Sequence, residues 1–208
     1  MNEISTIEKI HRIAADEFLR KGFRGASLRE IVKKAGVTTG AFYGYYKSKE
    51  ELFDALVAPH ANHVLDYFKE IVSEFMEIPK SDWAKNMFDY SDRGMREIFE
   101  YAYDNKDAFR LILSASEGTK WENFIHKIVE VEIEMTHIFY REIEKEGYKP
   151  FAFDPTLEHM IISGEFSAFF ELIIHDISKE DGRRCVKELH DFYQAAWESV
   201  LKMKKKAD

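Results

Sequence analysis

Apolar residues in this chain recur every third or fourth position over long runs, the period of helices that bury one face. Ile7, Ile10, Ala14 and Phe18 make the first such stripe. Ser5 and Glu8 precede it at capping-box spacing and Gly22 follows it, which predicts a helix from Ser5 to about Lys21. Ser27 with Glu30 repeats the box, Ile31, Val32 and Ala35 give an apolar side, and Gly36 is placed to stop a second helix. Val37 is an apolar turn residue, and Thr38 or Thr39 can cap a short third helix through about Tyr45. Ser48 with Glu51 then opens a further helix over KEELFDALV, which Pro59 should end or kink.

The pattern continues in longer pieces. A run from His60 to about Met76 stops before Pro79, and apolar positions from Trp83 to Ile112 fill one or two helices broken around Asn105–Asp107. Thr119 to Glu146 reads as one helix closed by Gly147 and Pro150. Asp154-Pro155 is an N-cap followed by proline at the first helical position. The helix behind it, to about Ile177, is apolar around nearly its whole circumference, and such a helix has to be covered on every side. The last, about Ser178–Lys204, carries a stripe through Val186, Leu189, Phe192, Tyr193, Ala196, Trp197, Val200 and Leu201. These two helices suit either the core of one chain or a four-helix contact between two chains, where Gly164 and Ala168 would let backbones approach. The basic tail KMKKKAD is expected to fray and to have no role.

With only 4 Pro and 10 Gly in 208 residues, the expected fold class is all-α. No apolar run reaches the roughly 18–20 residues of a membrane span, so no membrane partner is expected. MNEISTIEKI lacks the charged-then-apolar layout of a signal, and Cys185 is the single cysteine, so cytoplasmic residence without an intrachain disulfide is expected. A net charge of −8 argues against loose nucleic-acid binding by the whole chain. The charge is unevenly spread, however. Residues 1–50 carry +4 and the remainder −12, which confines any DNA-facing surface to the N-terminal part.

Catalytic readings find little. His60 and His63 stand three apart with no third ligand at metal-site spacing, no histidine forms a motif with Cys185, and no glycine-rich phosphate loop occurs. We therefore expect neither an enzyme, nor a metal, nor a cofactor.

Two short helices joined by a tight glycine turn form the motif that lays its second helix in the DNA major groove. Here that helix carries Thr39, Gly40, Tyr43 and Tyr45, with Lys47 and Lys49 just beyond. It has no arginine, so bidentate guanine reading is not open to it. Specificity is expected from tyrosine and threonine contacts, methyl packing and duplex shape.

Over residues 5–56 the chain resembles the TetR family of transcriptional repressors. The matching positions are Ala14, Ala15, Phe18, Gly22, Phe23, Ser27, Ile31, Ala35, Gly36, Val37, Thr38, Gly40, Phe42, Tyr43, Tyr46, Ser48, Lys49 and Leu52. Tyr45 stands where the family usually has His, and Tyr46 where it has Phe. The resemblance implies a three-helix helix-turn-helix DNA-binding domain over 1–50 and a larger helical ligand-binding and dimerisation domain over 51–208. It also implies a homodimeric repressor that leaves a near-palindromic operator in double-stranded DNA when a small hydrophobic or aromatic effector binds. Carried over residue by residue, the DNA contacts are Ser27, Thr38, Thr39, Gly40, Tyr43, Tyr45 and Lys49, with Phe42 and Tyr46 as packing residues. The candidate effector contacts are Phe99, Tyr103, Phe109, Trp121, Phe124, Glu165 and Phe169, although aromatics at helical spacing equally suit plain core. Glu165, a carboxylate inside an apolar run, is the one polar position among them. The competing class is a helical sensor or interaction protein whose helix-turn-helix no longer binds DNA.

Overall fold

The computed structural model describes residues 5–148, 153–175 and 177–202, and their regular structure is helical with no strand. The first helix, α1 (Thr6–Gly25), starts at the expected capping box, with Ser5 and Glu8 bonded reciprocally. Gly22 interrupts it at φ 68°, a left-handed conformation that glycine adopts without steric cost. In α2 (Leu28–Ala35) Ser27 Oγ accepts from the Glu30 N–H, and Gly36, at φ 66°, turns the chain. Thr38, not Thr39, caps α3 (Thr39–Tyr43), accepting from the Ala41 N–H at 3.1 Å. Ser48 Oγ accepts from the Glu51 N–H at the head of α4 (Lys49–Glu77).

Pro59 does not end α4, which continues to Glu77. An interior proline costs about 3 kcal/mol. The same helix fully buries Leu52, Val57 and Val64, each worth roughly 1.5–3 kcal/mol, which outweighs the loss. A short 3-10 turn (Lys80–Asp82) leads to α5 (Trp83–Asp104), and a break at Asn105 separates α6 (Lys106–Ser114). The next helix, α7 (Phe124–Lys145), begins five residues later than its periodicity suggests. Thr119 Oγ1 donates to the Ser116 carbonyl at 2.7 Å and accepts from the Trp121 N–H, and these side-chain bonds hold the preceding residues in a turn. Asp154 caps α8 (Pro155–Ile174), which stops three residues short of Ile177, and Ser178 Oγ accepts from the Asp181 N–H at the start of α9 (Lys179–Lys202). Pro150 and the end of the basic tail lie outside the described residues.

These helices group into two units: the chain up to His63 with Asn105–Phe124, and Val64–Asp104 with the chain from Ile125 on. α6 and the turn after it group with the first unit, apart in sequence from the N-terminal helices. There the Phe23 N–H donates to the Ala115 carbonyl at 2.8 Å and the Trp121 indole donates to Asp54 at 2.6 Å. Phe18, Phe23 and Phe53 meet at the centre with ring centroids 5.0–6.0 Å apart.

In the second unit α9 lies against α5. Glu100 accepts from both Arg183 and Lys179, which pull its carboxyl down to about 2. Gly182 sits so close to Phe99 that an added Cβ would come within 2.3 Å of the ring. Tightly packed interiors tolerate such crowding poorly. Gly182→Ala should therefore lower stability by about 1–3 kcal/mol in urea unfolding. An unchanged midpoint would show that the Phe99 ring has room to move.

Candidate nucleic-acid interface and effector cavity

The first unit buries Ile10, Ala14 and Phe18 of α1, Ile31, Val32 and Ala35 of α2, and Phe42 of α3. Phe42 and Tyr46 are packing residues, as expected, with Tyr46 hydrogen-bonded to His11. Packing Phe42 inward turns the opposite side of α3 out: Thr39, Gly40 and Tyr43 are exposed, as is Tyr45 in the turn after the helix, the two tyrosines by 53% and 47%. These side chains are therefore free to meet another surface, and Lys47 beside them is exposed too. Ser27 and Thr38 use their hydroxyls as caps, which places them at the heads of α2 and α3.

Lys49 is turned inward. Its ammonium donates to the carbonyls of Phe23 at 2.6 Å, Ala26 at 2.9 Å and Arg24 at 3.4 Å, and lies 4.6 Å from the centre of the Phe23 ring. Burial lowers its pKa, while the carbonyls and the ring face hold the charge. The phosphate role carried over from the family thus meets a side chain already committed to the end of α1.

Glu17 was not legible as a site residue. It has no solvent contact and pairs with Arg20, Lys21 and, from α2, Lys34. Those bonds hold its carboxyl well below the usual carboxylate range. The spacing to Arg20 and Lys21 suggests an ordinary surface pair; the link to Lys34 could not be seen from it.

The second unit holds a partly open cavity of about 160 Å³ walled by α4, α5, α7, α8 and α9. Glu165 and Phe169 line it. The other five candidate effector residues do not. Phe99 packs on Gly182, and Tyr103 donates to the Ile177 carbonyl at 2.8 Å. Phe109, Trp121 and Phe124 belong to the first unit, where Phe109 and Phe124 meet edge to face. Periodicity marks a residue as buried but not which core it joins.

Glu132, Tyr140, His190 and Trp197 also line the cavity and carried no distinguishing sequence signal. The Trp197 indole donates to Glu165. Burial pushes the Glu132 carboxyl up to about 7, and burial with the nearby Glu132 charge pushes Glu165 up to about 8. Both line the cavity and are half-buried. Tyr140 Oη and His190 Nε2 are buried without a hydrogen-bond partner.

A capped short helix after a glycine turn, set on a buried aromatic core, is the geometry of a helix-turn-helix. Residues 10–56 match the family model described as bacterial regulatory proteins, tetR family. The chain is similar to the Bacillus subtilis (strain 168) HTH-type transcriptional regulator YvdT, 42% identical over 62 residues, 30% of this chain and 32% of that protein. It is 29% identical over 111 residues to YdgC of the same organism, an HTH-type transcriptional regulator, covering 52% of this chain and 53% of YdgC. The chain thus spans about half or less of the curated relatives it matches. Its fold is similar along nearly its whole length to that of PfmR, a TetR family transcriptional regulator from Thermus thermophilus, with a TM-score of 0.59 at 15% identity, covering 96% of this chain and 97% of that one. These matches support a TetR family transcriptional regulator, with the family model itself matched over residues 10–56.

A buried carboxyl whose pKa is raised loses stabilisation as it ionises. For Glu165 the loss sets in above the ordinary value of 4.5 and is complete once pH passes about 8. Glu165→Gln should therefore raise the melting temperature near pH 8 and leave it little changed near pH 4.5. Equal shifts at both pH values would show that Glu165 is not desolvated.

Proposed function

We propose that the chain is a sequence-specific DNA-binding transcriptional regulator that acts as a homodimer and a repressor, released from a near-palindromic operator when the cavity of the second unit is occupied. The observation that carries this reading is the outward face of α3 and the turn after it: exposed Thr39, Gly40 and Tyr43 on a helix anchored by a fully buried Phe42, with exposed Tyr45 just beyond its end. Groups that hydrogen-bond sugar, phosphate and base edges stand together on an element that enters a major groove. Ser27 and Thr38, at the heads of α2 and α3, border the same contact. Lys49 enters as a positioning residue, since it fastens the end of α1 to the start of α4.

Dimerisation is supported by what one chain leaves uncovered. α8 buries Ile162, Phe166, Phe169, Phe170 and Ile173, yet exposes Leu157 by 47% and Met160 by 64%; on α9 Phe192 is 68% exposed. Apolar side chains of this size on adjacent helices favour a second copy as cover. Two copies would set two α3 helices about 34–36 Å apart, one turn of duplex. An effector then shifts the dimer away from the DNA-competent spacing by its differential affinity, about 1.4–3 kcal/mol for ten- to hundredfold release.

Selection from random duplexes with the purified chain should enrich one near-palindromic site. On that site Tyr43→Ala is expected to weaken binding by about 1–3 kcal/mol. Lys47→Glu should also make the salt dependence shallower, by about one phosphate contact per protomer. Absence of enrichment, or full affinity in the Tyr43 variant, would overturn the assignment and leave a helical sensor without DNA.

A further inference from the structure

The cavity of the second unit has an unusual balance of groups. Its walls are aromatic and aliphatic, among them Phe68, Met95, Phe139, Phe166 and Phe169. The titratable side chains facing it are Tyr90 from α5, Glu132 and Tyr140 from α7, Glu165 from α8, and His190 and Tyr193 from α9. Among the described residues no lysine or arginine lines it, so the two carboxyls have no resident counter-charge. Two polar groups are also held without hydrogen-bond partners: the buried Tyr140 hydroxyl, and Nε2 of His190, a residue only 5% exposed. Unsatisfied buried polar groups are costly in a folded chain and are kept where something else completes them.

We propose that this cavity binds a lipophilic ammonium ion, with an aromatic or alkyl body against the phenylalanine and methionine walls and the protonated nitrogen set between Glu132 and Glu165. The proposal rests on the reading of the cavity as the effector site and names the chemical class of that effector. Each part of such a molecule meets a matching group. The ammonium N–H groups find carboxylates; the unpartnered Tyr140 Oη can accept from a donor that remains, as can His190 Nε2 in the tautomer that carries its proton on Nδ1. Phe166 and Trp197 line the same space, and aromatic rings attract a cation set over their faces. A cavity of about 160 Å³ is close to the volume that accepts a benzene-sized body, which points to a single ring or a short branched chain. A carboxylate ligand would bring a third like charge into the same apolar space. A neutral alcohol would gain the apolar contacts but no charge pairing.

Burial holds both carboxyls partly protonated near neutral pH. Binding of a cation ionises them, so protons should leave as the amine enters.

The test is a titration of the full chain, without DNA, with three molecules of one shape: 3-phenylpropylamine, 3-phenylpropan-1-ol and 3-phenylpropanoate. Tryptophan fluorescence and calorimetry report binding. The amine should bind at least about tenfold more tightly than the alcohol, and the carboxylate most weakly. Its binding enthalpy should change with the buffer's ionisation enthalpy, the mark of proton release. Glu132→Gln/Glu165→Gln should weaken the amine at least about tenfold and leave the alcohol within about twofold. If the double variant fails to melt cooperatively, Glu165→Gln alone serves in its place. Failure of the amine to bind, equal or tighter binding of the alcohol or the carboxylate, or an amine affinity untouched by the glutamines would overturn the proposal. Because no operator is present, the result stands apart from the DNA-binding reading: a chain that takes the amine but enriches no duplex sinks only the latter.

Discussion

The first unit depends on the ammonium of Lys49. Helix ends leave carbonyls without intrahelical partners, and α1 ends in a break at Gly22 that leaves those of Phe23 and Arg24 close to one another. Lys49 gathers them with the Ala26 carbonyl, so the last turn of α1 is closed by a side chain from the first residue of α4. Glu17 does the corresponding work on the other side of α1, where Lys34 of α2 reaches it. With α2 and α4 both fastened to α1, the five residues of α3 have one place to sit: Phe42 inward and Tyr43 outward, with Tyr45 exposed in the turn that follows. A helix this short has little stability of its own, so its orientation is set by these neighbours rather than by propensity.

The second unit works under the opposite constraint. Where the first unit surrounds buried Glu17 with cations, the cavity keeps two carboxyls without a counter-charge and a phenol and an imidazole nitrogen without hydrogen-bond partners inside apolar walls. Such an arrangement lowers stability at neutral pH and creates a place where a ligand of the right charge gains more than it would on an exposed surface. A regulator needs a site whose occupancy changes free energy enough to move a population between states, and a cavity with unspent polar groups supplies that difference.

Much of this is readable in the residues. Ser5, Ser27, Thr38 and Ser48 all cap where spacing places them, because capping is a local interaction within four residues. Asn105 breaks the helices as expected, and Glu165, which stands out in the sequence as a carboxylate in an apolar run, lines the cavity. What is not readable depends on contacts distant in sequence. Nothing in the pattern shows that Trp121 reaches Asp54, that Gly182 makes room for Phe99, or that Glu132 and His190 face the same space as Glu165. Lys49 shows the limit of transfer from relatives: the residue stands at the matching position, yet its environment here commits it to carbonyls of its own chain.

The most direct measurement is amide hydrogen exchange on the chain with and without the duplex recovered by selection. Protection by DNA should appear at the heads of α2 and α3 and across residues 38–47, with the inner face around Phe42 slow to exchange in both states. Protection centred on another surface, or none in that stretch while the duplex is bound, would contradict the placement of DNA on the outward face of α3.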